Sequence, residues 1–173
     1  GAILRRSEES SDVEDMAAYD IPEIDLVIVD LYPFKATLAE GAGHEEIIEK
    51  IDIGGISLIR AAAKNYKEVL VVSDRSQYPS LLNMLEDKAG LTELSERKVF
   101  ASRAFAVSSE YDTDIFHYLD GQNQEYFRKS ESPRRKLRYG ENPHQKAFYY
   151  GDFDALFEQI HGKEISYNNL LII

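Results

Sequence analysis

The sequence predicts an α/β fold built on a doubly wound parallel sheet. Two short apolar runs rich in β-branched residues, 24–31 and 68–73, have the composition of buried parallel strands. Two helical patterns lie between these runs, and the order strand, helices, strand describes a right-handed crossover within one sheet. Because two strands cannot cover both faces and both edges of a buried sheet, we expect the sheet to be incomplete.

Three helices follow from apolar spacing and from residues that stop helices. Residues 43–51 and 55–66 form the two patterns of the crossover, and the sequence Asp-Ile-Gly-Gly at 52–55 separates them. Residues 76–90 predict a short helix that ends at Gly90, since glycine readily adopts the left-handed conformation that follows a helix.

A long helix is predicted from about Thr92 to Leu119. Thr92 suits the cap position, and Glu93 suits the positive end of the helix dipole. One apolar stripe at a 3.6-residue period comprises Phe100, Ala104, Val107, Tyr111, Ile115 and Leu119. We interpret this stripe as core packing rather than as a cofactor site.

A basic linker divides the chain into two parts. Residues 1–30 carry a net charge of −7, whereas residues 128–138 carry +5 and lack apolar periodicity. A solvated linker and a stretch that attracts phosphate are both compatible with this charge. The predicted division is a first domain at 1–120, a linker at 121–136 and a second domain at 137–173.

The composition excludes several classes of function. A net charge of −11 repels polyanions, so general binding to nucleic acid or to an anionic membrane is not expected. The 173 residues contain no cysteine, which excludes a disulfide framework, an iron–sulfur cluster and a thiol nucleophile. Four dispersed histidines do not make a zinc site, and no apolar run is long enough to span a membrane. We expect a cytoplasmic chain without a bound metal.

Two polar constellations fall in the first domain. Tyr32 follows the first strand, at the end where open α/β sheets bind ligands, although an ordinary strand-to-loop turn would also suit it. Asp52 precedes a helix opened by Gly54 and Gly55, which allow another group to approach the backbone closely. With Lys64 on that helix, a carboxylate and an ammonium would supply a proton acceptor and a charge stabiliser. The alternative is a helix cap followed by a solvated basic face.

The second domain, with a strand predicted at 147–150 and a helix at 152–160, carries two more constellations. Residues 137–145, LRYGENPHQ, group a guanidinium, a phenol, an amide and an imidazole around a glycine and a proline. Burying so many polar groups requires many partners, which favours a binding site over a connector. Residues 161–169, HGKEISYNN, have no metal-ligand spacing, and their amides would equally cap turns.

These segments resemble the bifunctional purine biosynthesis protein family, which joins an IMP cyclohydrolase domain to an AICAR transformylase domain. The matching segments, in the family's order, are IDLVIVDLYPF, IEKIDIGG, IRAAAKNYKEVLVV, LRYGENPHQKA and HGKEISYNNLL. The resemblance implies that residues 1–120 are the C-terminal part of a cyclohydrolase domain with a methylglyoxal-synthase-like sheet. It implies that residues 137–173 open a transformylase domain with a fold similar to that of cytidine deaminase.

The resemblance also implies roles for individual residues. The implied catalytic residues are Tyr32, Asp52, Lys64 and His144, and the implied substrate-binding residues are Gly54, Gly55, Arg138, Tyr139 and Asn169. The side chains of Tyr32, Asp52 and Lys64 are expected to meet in one pocket above the strand ends. Arg138 and Tyr139 are expected to contact the AICAR nucleotide in the second domain, where His144 and Asn169 also line the site.

The implied chemistry is formyl transfer from 10-formyltetrahydrofolate to AICAR, followed by dehydrative ring closure of formyl-AICAR to IMP. The folate is a cosubstrate, and the cyclohydrolase step needs neither a metal nor a bound organic cofactor. The implied partners are therefore small molecules (AICAR, formyl-AICAR, IMP and folate), with neither nucleic acid nor membrane. The resemblance further implies a homodimer.

The chain departs from the family pattern, and other interpretations stay open. The family usually has Asn at the position of Asp30 and Asp at that of Ile172. The family's early cyclohydrolase loops and later Lys-His pair have no counterpart here, so we expect a fragment with two incomplete sites that is inactive alone. A non-catalytic module that senses phosphate or nucleotides is the main alternative. RNA binding at 128–138 is a third, which the charge of −11 disfavours.

Overall fold

A computed structural model describes residues 2–121, 125–131 and 134–170. The chain divides into two compact units, Gly1–Arg128 and Lys129–Ile173. Within the described ranges, no helix combines the length and the apolar character needed to cross a bilayer. Ile172 lies outside the described residues.

The first unit contains a two-stranded parallel sheet, which confirms the predicted fold class. Strand β1 (Leu26–Ile28) pairs with β2 (Leu70–Val72), and Leu26 lies opposite Leu70. Both strands are shorter than the apolar runs that predicted them, because apolar composition reports burial whereas a strand also requires a hydrogen-bonding partner. Strand β2 is buried throughout, but Ile28 of β1 is 47% exposed, so one strand is covered on both faces and the other is not.

Helices surround this sheet. They are α1 (Ser10–Ala18), α2 (Phe34–Ala39), α3 (His44–Glu49), α4 (Gly54–Lys64), α5 (Tyr78–Asp87) and α6 (Leu94–Asp120). The four helices predicted from apolar spacing, α3 to α6, are confirmed. Helix α1 escaped prediction because it buries no residue, and α2 because its six residues follow a proline. After α5, Gly90 has a φ of +85° and its N–H donates to the Leu85 carbonyl oxygen (2.8 Å), as predicted for a glycine stop.

The start of α6 differs from the prediction, because Glu93 rather than Thr92 caps it. The Glu93 side chain and that of Glu96 satisfy each other's backbone N–H groups in a capping box. The Thr92 hydroxyl oxygen accepts instead from the Arg97 guanidinium (3.0 Å). The apolar stripe is buried at Phe100 and Ala104 but ends at Leu119, which is 60% exposed.

Side chains on opposite faces of β2 belong to two apolar clusters. One cluster joins β1, β2, α4 and α6 through Val27, Val69, Val71, Ile59, Ala62, Ala63, Ala101 and Ala104. The other joins β2, α5 and α6 through Leu70, Val72, Leu81, Met84 and Phe100. The alternation of β2 residues between the two clusters is the period-2 pattern of a strand covered on both faces.

The second unit is built on a small antiparallel pair. Strand β3 (Arg134–Lys136) pairs with β4 (Phe148–Tyr150), and helices α7 (Phe153–Leu156) and α8 (Tyr167–Leu170) follow. The predicted strand at 147–150 is confirmed. The helix predicted at 152–160 is present but shorter, with Asp152 accepting from the Ala155 N–H (3.1 Å) at its start. Residues 134–136, predicted as part of the linker, form a strand.

Candidate active sites

A cavity opens where β1 and β2 end. The carboxyl ends of parallel strands lie at the same edge of a sheet, and ligands of open α/β sheets bind there. The cavity has a volume of about 490 Å³. Its lining includes Leu31 from the loop after β1, Arg75 from the loop after β2, and Tyr111 from α6. The first predicted site therefore lies beside an existing concave surface.

The carboxylate of Asp52 joins the loop after β1 to the start of α4. One carboxylate oxygen accepts from the Gly55 N–H (2.6 Å), and the other accepts from the Tyr32 N–H (3.3 Å). Asp52 is 9% exposed, so these hydrogen bonds are largely shielded from water. The structure thus brings Tyr32 and Asp52 together, through the tyrosine's backbone rather than through its phenol.

Gly55 is required by the close approach of this carboxylate. A Cβ atom added at Gly55 would lie 2.5 Å from the nearer carboxylate oxygen of Asp52, which is shorter than any ordinary contact. A Cβ atom at Gly54 would meet nothing within 4 Å. The paired glycines predicted that another group comes close to the backbone. That contact occurs at Gly55, and the group is the Asp52 carboxylate of the chain itself.

Tyr111 holds the backbone on both sides of Ile51. Its hydroxyl accepts from the Asp52 N–H (2.8 Å) and donates to the Lys50 carbonyl oxygen (2.6 Å). Burial raises the pKa of Tyr111, and the nearby Asp52 charge raises it further. From the sequence, Tyr111 was expected only as part of an apolar stripe; the signal for its hydroxyl is that a buried tyrosine usually needs a polar partner.

Lys64 lies at the other end of α4. Ten residues separate it from Gly54, or about 15 Å along the helix axis. Its exposed side chain lines a different cavity, of about 560 Å³, together with Arg6 and Lys67. The structure therefore does not bring Lys64 to Asp52, while the phenol of Tyr32 is 57% exposed beside the strand ends. The catalytic role of Lys64 stays a prediction.

Asp30 connects the loops that follow the two strands. Its carboxylate accepts from the Arg75 Nε–H and from the Tyr78 hydroxyl, each at 2.8 Å. The hydrogen bond from Arg75, together with that from Tyr78, holds the pKa of Asp30 below its ordinary value. Neither Arg75 nor Tyr78 was a candidate from the sequence, because nothing in their spacing connects them to Asp30.

In the second unit, the two predicted motifs lie side by side. The Arg138 N–H donates to the Ile165 carbonyl oxygen (2.8 Å), and the Tyr167 N–H donates to that of Tyr139 (3.1 Å). The Arg138 guanidinium also donates to the Tyr139 hydroxyl (3.0 Å). These contacts bring the Arg-Tyr pair to the segment that carries Asn169.

Ser166 and Asn169 complete this cluster. The side-chain oxygen of Asn169 accepts from the Ser166 hydroxyl (2.8 Å) and from the Ser166 N–H (3.0 Å). Hydrogen-bonding interactions with Ser166 and then with the Arg138 guanidinium, together with the Arg138 charge, lower the pKa of Tyr139. Ser166 is buried, and the sequence placed it within the constellation at 161–169 without a role of its own.

His144 lies exposed in a tight turn. The Gly140 N–H donates to the Gln145 carbonyl oxygen (2.9 Å), and the Gln145 side chain accepts from the Asn142 N–H (2.9 Å). A Cβ atom at Gly140 would lie 2.9 Å from that of Gln145, so the turn needs a glycine there. Within the described parts of the chain, no group of three or more His, Asp and Glu side chains is arranged to hold a metal ion.

Comparisons with known proteins first define the class of the fold. The MGS-like domain family matches residues 3–57, which include β1 and the Asp52 site. The AICARFT/IMPCHase bienzyme family matches residues 62–172, which include both motifs of the second unit. The chain belongs to the AICARFT/IMPCHase bienzyme family, so the resemblance found in the sequence is confirmed.

Curated relatives match almost the whole chain. It is 58% identical to a bifunctional purine biosynthesis protein PurH of Bacteroides thetaiotaomicron, over 100% of this chain and 34% of the relative. It is 46% identical to the protein of that name in Chloroflexus aurantiacus, over 98% of this chain and 33% of the relative. A crystal structure of ForH matches with 35% identity and a TM-score of 0.56, covering 68% of this chain and 61% of ForH. The chain spans about a third of the length of the curated relatives it matches.

Proposed function

We propose that this chain is part of a bifunctional enzyme of purine nucleotide biosynthesis. The full-length protein transfers a formyl group from 10-formyltetrahydrofolate to AICAR and closes formyl-AICAR to IMP. The chain contributes residues to both active sites. Family membership over both units supports this proposal, and the observation that carries it is the largely buried Asp52 carboxylate held by the Tyr32 and Gly55 N–H groups.

The cyclohydrolase step is an intramolecular condensation. The carboxamide nitrogen of formyl-AICAR attacks the formyl carbon of the same molecule and loses one proton. The formyl oxygen then leaves as water, with a second proton from the formamido nitrogen, as the ring C=N bond forms. Holding the folded conformer contributes up to about 7–11 kcal/mol in the best intramolecular reactions. The protein must then supply a proton acceptor and a stabiliser for the negative charge that develops on oxygen.

Asp52 is our proposed proton acceptor for this step. Two backbone N–H groups fix the direction of its carboxylate, and an oriented base needs no rearrangement at the moment of reaction. The exposed phenol of Tyr32 is the proposed donor to the developing oxyanion. Gly54, where a Cβ atom would meet nothing within 4 Å, would let the substrate approach the start of α4, and Gly55 would leave room for the Asp52 carboxylate. The oxyanion role of Lys64 stays a prediction: we expect Lys64→Ala to lower turnover on the order of 100-fold, and an unchanged rate would exclude the role.

The second unit contributes to the transformylase site in this proposal. A planar guanidinium matches the paired oxygens of a phosphate, so Arg138 would bind the AICAR nucleotide. Tyr139 and Asn169, which the Ser166 cluster brings near Arg138, would bind the same substrate, and His144 would act in the transfer. The folate is a cosubstrate, and neither step is assigned a metal.

The proposed assembly is a cytoplasmic homodimer acting on small molecules. Each protomer would supply both units, and neither nucleic acid nor membrane is a proposed partner. Light scattering of the full-length protein at micromolar concentration tests the dimer, and a monomer of full activity would exclude it.

The experiment that tests the function is a direct assay. Purified full-length protein, treated with a chelator, is mixed with formyl-AICAR, and IMP is quantified by chromatography. The proposal predicts many turnovers per enzyme molecule. A protein that binds formyl-AICAR tightly but forms no IMP would be the sensing module, and the proposal would fail.

A further inference from the structure

We propose that Tyr111 is a positioning residue for the cyclohydrolase step, because its hydroxyl sets the backbone at Asp52 and thereby the direction of the Asp52 carboxylate. This inference rests on the proposed function of Asp52.

The segment between α3 and α4 depends on Tyr111 for its backbone partners. The Lys50 carbonyl and the Asp52 N–H lie between the end of one helix and the start of the next, where helix ladders leave such groups unpaired. One hydroxyl satisfies both, as acceptor for the N–H at 2.8 Å and as donor to the carbonyl at 2.6 Å. Loss of that hydroxyl would leave two partly buried backbone groups without these partners.

Helix α6 gives this hydroxyl a fixed position. The helix is anchored by Phe100 and Ala104, which are buried in the two apolar clusters. The Tyr111 ring also packs edge-on against Phe34, which is only 1% exposed, with ring centroids 6.2 Å apart. A tyrosine with an ordinary pKa of about 10 is protonated at neutral pH, and burial raises the pKa of Tyr111, so the hydroxyl keeps its donor role.

A small shift of the Asp52 backbone would lower the rate of the reaction. The carboxylate holds the Gly55 N–H at 2.6 Å and the Tyr32 N–H at 3.3 Å, so rotation of the backbone changes both contacts. Misplacing a reacting group by about 1 Å can slow an enzyme on the order of 100-fold. The expected signature is a lower kcat at nearly unchanged KM, because both hydrogen bonds of the Tyr111 hydroxyl go to the protein backbone.

Tyr118 provides a matched control on the same helix. Its ring also packs edge-on against Phe34, at 5.9 Å between centroids. Its hydroxyl, however, is hydrogen-bonded to Nδ1 of His44 (2.7 Å) and not to the segment at Asp52. Replacing either tyrosine by phenylalanine therefore removes a hydroxyl and keeps a ring against Phe34, but only one replacement alters the surroundings of Asp52.

The test compares Tyr111→Phe, Tyr118→Phe, Asp52→Asn and the double variant Asp52→Asn with Tyr111→Phe in the full-length protein. We expect Tyr111→Phe to lower the cyclohydrolase kcat about 10- to 100-fold with KM within about threefold. We expect Tyr118→Phe to retain the wild-type rate. Because Tyr111 acts through Asp52, the double variant should be no slower than Asp52→Asn alone.

The outcomes separate the inference from the proposed function. Wild-type kcat in Tyr111→Phe, or equal losses in both tyrosine variants, would overturn the positioning role while an inactive Asp52→Asn left the proposed function standing. Multiplicative losses in the double variant would also overturn it, since the two residues would then act independently. A fully active Asp52→Asn would instead remove the proposed function of Asp52. The thermal midpoints of all variants show whether a lower rate comes from a misoriented Asp52 carboxylate or from a less stable fold.

Discussion

At the residue scale, Asp52 has a structural role and a proposed chemical role. Its carboxylate satisfies the N–H groups of Tyr32 and Gly55, which are 23 residues apart in the chain. The hydrogen bond from Gly55 caps the start of α4, and the second one, from Tyr32, fixes the orientation of the carboxylate. The helix-cap and catalytic interpretations of Asp52 are therefore compatible, because a cap that aims a carboxylate is also an oriented base.

Substitution of Gly55 should change the orientation of the Asp52 carboxylate without a large change in the stability of the fold. In Gly55→Ala, the new Cβ meets the end of a short side chain rather than backbone, so the Asp52 carboxylate moves and the helix persists. We expect cyclohydrolase turnover to fall about 10- to 100-fold with little change in thermal midpoint.

Gly54→Ala provides the comparison for this prediction. Its Cβ would meet nothing within 4 Å, so we expect a smaller loss of turnover than in Gly55→Ala. Steady-state kinetics on both full-length variants make the measurement. A larger loss of turnover in Gly54→Ala than in Gly55→Ala would show that the close contact between Gly55 and the Asp52 carboxylate does not limit the reaction.

Tyr32 and Tyr111 show which features near Asp52 cannot be predicted from neighbouring residues in the sequence. Asp52 and Gly55 were predicted because a carboxylate three residues before a glycine at a helix start is a local pattern. Tyr111 was assigned to packing, since its hydrogen bonds connect it to residues about 60 positions away. The exposure of Tyr32 and the distance of Lys64 likewise depend on tertiary structure.

At the element scale, Asp30 joins the loops after β1 and β2. Its pKa is lowered first by the hydrogen bond from Arg75, so its ionised form stabilises the folded state. Stabilisation of this sign is complete above the unfolded pKa, near about pH 4, and is lost as the pH falls through the lower folded value. We expect the difference in thermal midpoint between the wild type and Asp30→Asn to be constant from pH 7 to about pH 5 and to shrink below about pH 4.

Arg75→Gln is the control for the ion pair at Asp30. It removes the partner that lowers the pKa most, so its difference from the wild type should shrink over the same acidic range. Circular dichroism melts at several pH values provide the data. A difference that persists unchanged to pH 2 would show that the substitution acts by something other than charge.

Packing of α4 against α6 depends on small side chains. Ala62 and Ala104 are fully buried in one cluster with Ile59, which leaves no room for a longer side chain. We expect Ala104→Leu to destabilise the first unit by about 1–3 kcal/mol through overpacking. Hydrogen exchange in peptides from α4 and α6, followed by mass spectrometry, would detect faster local opening.

Ala106→Leu tests the same change on the exposed face of α6. The added carbons lie in solvent, so exchange in α4 and α6 should match that of the wild type. Equal acceleration in both variants would mean that the helix itself, rather than its packing, sets the local stability.

Element boundaries were harder to predict than element types. The parallel pair, the crossover helices and the long helix follow from periodicity, which is a property of neighbouring residues. The start of α6 was missed although its capping box, Glu93 with Glu96, is a local pattern. The extent of β1 and strand β3 depend on partners elsewhere in the chain, Val72 for β1 and Tyr150 for β3. A charged stretch such as 134–136 therefore resembles a linker until its pairing partner is known.

At the scale of the whole molecule, the two units carry separate site residues. Asp52 and Tyr111 lie in the first unit, and Arg138 and Asn169 lie in the second. We expect Arg138→Lys to weaken AICAR binding about tenfold or more, because an ammonium cannot reproduce the paired donors of a guanidinium. Transformylase KM and cyclohydrolase kcat, measured on one preparation, make the test. A parallel loss of both activities would contradict the separation.

The cyclohydrolase turnover of Asp52→Asn in the full-length protein is the most direct test of the proposal that the Asp52 carboxylate is the base. The amide keeps the shape of the side chain and one acceptor oxygen, but it gives up one of the two backbone hydrogen bonds and cannot take a proton from the carboxamide nitrogen. We predict a loss of about 100-fold or more in kcat, with transformylase activity retained. A variant that forms IMP at the wild-type rate would contradict the central claim that the Asp52 carboxylate is the base of the reaction.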